Sequence, residues 1–252
     1  MQYYTPLEQF EVGVIQPLVF DRYGMWVDIS ITTVTIASIF LVVVTSLFLY
    51  SGIERMKVIP TPWQVIVESV YEFVFEMIRQ QVGIKGQVFF PLFFTTFFYI
   101  LVSNLLGLTP YALTITSYIA VTFSIALSYN VGFLVLGVVK NKKGFLKLFI
   151  PSDAPAALVP LITVIEIVSY LIRTFSLSLR LFANMMAGHT LLHILGSFVL
   201  KFYQMQSYII AILPFILVIA VIGLEFGIAF LQAYVFVILL CIYLNDAYHP
   251  GH

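Results

Sequence analysis

A single cysteine, Cys241, stands among 252 residues, inside an apolar run. One cysteine excludes an internal disulfide and argues against a thiolate metal site. Charge is nearly as scarce: 10% of residues are charged, 12 basic against 12 acidic. A net charge of zero leaves no electrostatic footprint for nucleic acid or a polyanionic substrate. The opening residues show no basic-then-apolar segment with a small-residue cleavage site, and no Arg- and Ser-rich transit peptide. An organellar location would therefore imply synthesis inside the organelle. What is abundant is hydrophobic: 61% of the chain, with a mean hydropathy of +1.04. That is far from the composition of a soluble globular protein.

The apolar runs predict an all-α polytopic membrane protein, one membrane domain over residues 1–252. Ile29 to Tyr50 carries no charge over 22 residues, enough for one bilayer-spanning helix. Phe89 to Leu108, ended by Pro110, and Ser117 to Val139 are two more upright spans. Thr61 to Val82 differs. Pro60 and Pro62 start it, Trp63 sits near its beginning, and Glu68, Glu72, Glu76 and Arg79 form a polar stripe at helical spacing. Such a pattern predicts an interfacial amphipathic helix with its stripe toward water or a partner.

Basic residues set the orientation. The first connection carries Arg55, Lys57, Arg79 and Lys85, and the third carries Lys140, Lys142, Lys143 and Lys147. The second, around Thr109 to Thr116, has no charge, and the first 28 residues hold four acids against Arg22. The positive-inside rule then places the first and third connections on the matrix or cytoplasmic side and the N-terminus opposite.

Two segments exceed the usual span. Residues 155–200 would make a helix of ~68 Å at 1.5 Å per residue, against a hydrocarbon core of ~30 Å. Residues 208–246 repeat the excess, with Pro214 as the internal breaker and Gly223 and Gly227 as a small-xxx-small pair that permits close helix approach. Between Leu161 and Ala187 no Gly or Pro allows a turn. The expectation is a hairpin of two long helices tilted ~60° from the membrane normal, where ~20° is usual. A curved protein partner would support that tilt.

The first long segment holds only three charged residues between Ala156 and Leu200: Glu166, Arg173 and Arg180, spaced by seven. Seven residues return to within ~20° of the same helix face, and Ser169, Ser176, Asn184 and Ala187 follow that strip. A guanidinium does not shed its proton, and at bilayer depth it costs from ~3 to more than ~10 kcal/mol. A seam this unfavourable points to charge movement through the membrane. His189 falls ~180° around from Arg180, so the two face different surroundings. On the second helix Glu225 and Gln232 share a face, with Asp246 ~60° away.

These residues carry a resemblance. The run Ser178 to His189 (SLRLFANMMAGH), the run Leu224 to Val235 (LEFGIAFLQAYV), Ser103 to Pro110 (SNLLGLTP) and the opening Pro6 to Phe10 (PLEQF) resemble membrane subunit a of F-type ATP synthase. The match spans nearly the whole chain in order. His189 paired with Glu225, and a tail with Asp246, are similar to the mitochondrial type, also called subunit 6. Asp153 departs from the family, which commonly has glycine there.

The resemblance implies a stator subunit that carries no nucleotide site, cofactor or metal. Its partners would be a rotating ring of c subunits, the b and small membrane subunits of F0, and the lipid bilayer. Its site would be the mitochondrial inner membrane, with the N-terminus on the intermembrane-space side. Protons would pass through two offset half-channels, with Arg180 between them facing ring carboxylates. On that reading His189, Glu225 and Asp246 belong to the inlet, and Glu166 to the outlet. Asn184 orients groups or water, and Gln232 approaches Arg180. Arg173 belongs to the channel or to the structure, with water-mediated pairing to Glu166 as one option. His193 packs, and Asp153 caps a helix or lines the outlet mouth. A secondary transporter would show internal repeats and interrupted helices, and none is visible. A purely structural respiratory subunit would not require the Glu-Arg-Arg seam.

Overall fold

The computed structural model describes residues 12–17, 19–22, 25–28, 30–53, 61–109, 115–141 and 158–248. Asp153, Lys142, Lys143 and Lys147 lie outside the described residues, as does the opening PLEQF run.

Four short strands precede the helices. β1 (Val14–Gln16) pairs antiparallel with β4 (Ile31–Thr32), and β2 (Val19–Arg22) pairs with β3 (Met25–Asp28). The second pair is in register from Val19 opposite Asp28 to Arg22 opposite Met25, a hairpin with a two-residue connection. These strands were not foreseen. Ile31 and Thr32 were assigned to the first span because they are uncharged, but they begin a run rich in β-branched residues, which suits a strand as well as a helix.

Six helices follow. α1 (Thr33–Ile53) stands to one side, with a cleft of about 840 Å³ between it and the next two spans. α2 (Pro62–Val82) begins where its sequence signals: Thr61 accepts from the Gln64 N–H at 3.4 Å, and Pro62 occupies the first turn. It ends on Gly83 at φ 76°, whose N–H returns to Arg79 O. Its buried face is Val67, Val74, Met77, Ile78 and Val82, and Glu68, Glu72, Glu76 and Arg79 are exposed as the stripe predicts. Phe73 joins that face to the rest of the bundle through rings of Phe97, Phe230 and Tyr234.

α3 (Phe90–Gly107) and α4 (Ile119–Asn141) form the central pair. α5 (Val159–Gln204) and α6 (Tyr208–Tyr248) are the long hairpin, 46 and 41 residues, or ~69 and ~62 Å. α6 runs through Pro214 without ending. The turn between them is a Schellman arrangement: Gln206 N–H donates to Tyr203 O at 3.0 Å and Ser207 N–H to Phe202 O at 3.1 Å. Gln206 holds the left-handed position, φ 56°, that glycine usually fills.

The apolar core sits where α3, α4 and the last third of α6 meet, around Phe93, Phe97, Phe236, Val237, Leu240 and Leu244. Polar contacts stitch the helices pairwise through it. Thr96 bonds Tyr129 between α3 and α4. Asn104, fully buried, donates to Ala229 O at 3.4 Å and accepts from Thr116 at 3.0 Å. At the far end Asn141 donates to Ala247 O at 2.7 Å, and the Lys140 ammonium sits 3.2 Å over the Tyr248 ring. Among the described residues, five helices are long and apolar enough to cross a membrane. The chain is a multi-pass membrane protein.

Candidate functional site

The site lies along the α5–α6 hairpin. α5 buries Thr174, Leu177, Ser178, Leu181 and Met185 against α4 and α6. Its opposite side is open: Leu161, Ile165, Val168, Ile172, Phe175, Ser176, Arg180, Ala183 and Ala187 are all exposed. Arg180 therefore points out of the bundle and makes no hydrogen bond or ion pair among the described residues. The residues at Ser176, Ala183 and Ala187 are small, so the guanidinium stands over a shallow floor that lets another surface approach closely.

Toward the hairpin turn, ~12 Å along the axis from Arg180, the Glu225 side chain of α6 lies against Gly188 of α5. Gly188 faces Glu225 so tightly that a Cβ on it would lie 2.9 Å from Glu225 Cδ. Glu225 is only 6% exposed, and both its carboxyl oxygens are buried without a protein partner among the described residues. The adjacent His189 is in the same position, its Nε2 buried and without such a partner. Two buried polar groups, one on each long helix and neither satisfied among the described residues, suit water or a moving proton. Gly223 and Gly227, expected to carry the close helix approach, do not: both are exposed with open space where a Cβ would be. The notch is at Gly188, because α6 turns Glu225 inward and its flanking glycines outward.

Away from the turn the arrangement differs from expectation. Asp246, assigned to the inlet with Glu225, lies 21 residues beyond it, ~31 Å along α6. There it forms an ion pair with Arg173 at 2.9 Å. The antiparallel hairpin carries Asp246 to the Glu166 side of Arg180, opposite to His189 and Glu225. Arg173 pairs across the helices with Asp246 and not along α5 with Glu166. Helical phase gave Asp246's face but not its depth. Glu166 is partly buried and, like Asn184 and Gln232, makes no hydrogen bond among the described residues. His193 is exposed.

Tyr243 was passed over. It is 6% exposed, its ring lies 5.4 Å from the Arg173 guanidinium carbon, and it is within electrostatic reach of both Arg173 and Arg180. The signal was available: 18 residues after Glu225 is ~5 full turns, the same face. Asn104 was quoted in a motif but given no role. A lone amide in an apolar span needs a partner, and it ties α3 to α6 one turn beyond Glu225.

A sequence model of the family described as ATP synthase A chain matches residues 32–245. The chain belongs to the ATP synthase A chain family. ATP synthase subunit a of Acanthamoeba castellanii is 45% identical over 250 residues, covering 99% of both chains. That of Bartonella bacilliformis is 45% identical over 249 residues, 98% of this chain and 97% of its own. ATP synthase subunit a 1 of Brucella anthropi is 47% identical over 249 residues, 98% of each. In this A chain family member, residues 32–245 take in α1 through most of α6, so every residue of the hairpin site but Asp246 lies within the family match.

Proposed function

We propose that this chain is the proton-translocating stator subunit of the F0 part of a rotary ATP synthase. The observation that carries the reading is Arg180, a permanent cation exposed on the open face of α5. Polar groups lie along the hairpin on both sides of it. A ring of c subunits, each with a mid-membrane carboxylate, docks on that face, and its curvature supports the tilt of α5 and α6. His189 and Glu225 form the inlet half-channel near the hairpin turn. Glu166, with Arg173, Tyr243 and Asp246, lines the outlet side. Asn184 and Gln232 flank Arg180 and hold water or orient it.

The chemistry follows from charge. Beside Arg180 a ring carboxylate is favoured in its ionised form, so its proton leaves to the outlet as the ring brings it close. The same charge repels a proton crossing directly between half-channels. A proton gains ~2.3 kcal/mol per 100 mV, so a barrier of a few kcal/mol suffices to prevent leakage. The subunits named b and the small F0 membrane subunits complete the stator. We place the complex in the mitochondrial inner membrane, with the N-terminus on the intermembrane-space side, on the His189 and Glu225 pattern and the basic connections. The bacterial relatives make a bacterial plasma membrane the alternative, and the source cell's compartment, seen by immunogold labelling, separates the two.

Arg180→Ala abolishes proton-driven ATP synthesis while leaving the complex assembled. Arg180→Lys fails nearly as completely, because an ammonium has another shape and deprotonates when desolvated. Wild-type ATP synthesis in membranes carrying either variant overturns the assignment.

A further inference from the structure

α5 is joined to α4 by a ladder of buried polar contacts that no other α5 neighbour provides among the described residues. Thr122 and Ser178 share a hydrogen bond at 3.1 Å, with exposures of 0% and 1%. Two turns along α4, Asn130 donates to the Thr174 hydroxyl, and the Tyr170 hydroxyl donates to Asn130 O at 3.4 Å. Asn130 and Thr174 are buried as well. The contacts advance eight residues on α4, from Thr122 to Asn130, and eight on α5, from Ser178 to Tyr170, so the ladder spans about two turns of α5. Thr174 and Ser178 lie ~120° and ~160° around that helix from Arg180.

We propose that Thr122 and Asn130 are positioning residues that fix the rotational setting of α5 and so the direction in which Arg180 points. Apolar packing alone does not fix this. The apolar part of the buried face of α5 is Leu177, Leu181 and Met185, and dispersion contacts have no preferred direction. Hydrogen bonds do. With side chains at ~5–6 Å from the axis, a turn of 20–30° moves the guanidinium by ~2–3 Å. At contact distance that shift removes about a third or more of its Coulomb interaction with a facing carboxylate. The functional arm of this inference rests on the half-channel reading of Arg180; the rotational arm does not.

The test uses the whole complex in native membranes, in a Cys241→Ser background with the single reporter Met185→Cys on the buried face of α5. One membrane hydrogen bond is a factor of about three in population, so losing two shifts the unseated setting about tenfold. Thr122→Val with Asn130→Leu, both close in shape to the originals, should raise the maleimide labelling rate of the reporter about tenfold. Passive proton leak, measured without the reporter, should rise in parallel. Thr122→Val alone should give about threefold, and covers the case in which the double variant does not assemble. Thr122→Ser keeps the hydroxyl and should match wild type. Unchanged labelling in Thr122→Val overturns the positioning role. Increased labelling with unchanged leak overturns its link to Arg180, whereas normal ATP synthesis in Arg180→Ala overturns the half-channel reading itself.

Discussion

Gly188→Ala isolates the fit between the two long helices at Glu225. An added Cβ would meet Glu225 Cδ at 2.9 Å and Cγ at 3.3 Å, whereas ordinary contacts begin at 3.4 Å. The Cδ must retreat by at least 0.5 Å, the difference between those two limits. The Oε1 atom, nearer still, must move further. Glutamate is flexible, so the helices need not separate. A side-chain torsion displaced by ~30° costs ~0.5–1.5 kcal/mol, and alanine recovers up to ~1 kcal/mol of helix propensity over glycine. The two nearly cancel, and the complex should assemble at close to wild-type levels. The carboxyl, however, is displaced from its place against Gly188. An error of ~1 Å in a reacting group lowers rates by up to ~100-fold, so ATP synthesis and ATP-driven proton pumping should fall ~10–100-fold. Gly196→Ala, on the same helix with open space around its Cβ position, is the control and should be neutral or stabilising. Immunoblots of assembled complex with pumping measured on the same membranes decide it. Wild-type pumping in Gly188→Ala refutes the tight notch.

Two further outcomes follow from the same hairpin. Arg173 and Asp246 are 31% and 34% exposed, between a surface pair worth ~0–1 kcal/mol and a buried one whose loss costs ~3–5. Asp246→Asn should therefore destabilise the extracted complex by ~1–3 kcal/mol, and the swap Arg173→Asp with Asp246→Arg should recover part of it in a thermal-stability assay. A swap no better than Asp246→Asn argues against the pair. At the turn, Gln206→Gly removes a left-handed residue that costs ~1–2 kcal/mol and should raise the melting temperature; a lowered one refutes the strain.

Much of the hairpin was legible because its charges are so few. Glu166, Arg173 and Arg180 at intervals of seven, with no Gly or Pro from Leu161 to Ala187, specify one uninterrupted helix with one polar seam. The exposed stripe of α2 was equally readable, since it depends on local spacing. The pairing of Arg173 with Asp246 was not, because it depends on how far two antiparallel helices slide past each other. That offset shows in Gly188 against Glu225, a contact between residues dozens of positions apart. The same applies to Gly223 and Gly227, where spacing gave the motif and the fold puts it on the exposed face of α6. The strands ahead of α1 were hidden for a different reason. A β-branched run of uncharged residues satisfies both the membrane and the sheet until neighbouring strands decide.

The outward-facing guanidinium of Arg180 also bears on how the chain is made. Left against lipid it carries a penalty of ~3 to more than ~10 kcal/mol, the same size as the ~5–15 kcal/mol that holds a typical protein folded. A newly inserted copy therefore has most of its stability in pawn until another surface covers that face. Surplus copies are then substrates for membrane proteases, and the cell must match their synthesis to the supply of whatever covers Arg180.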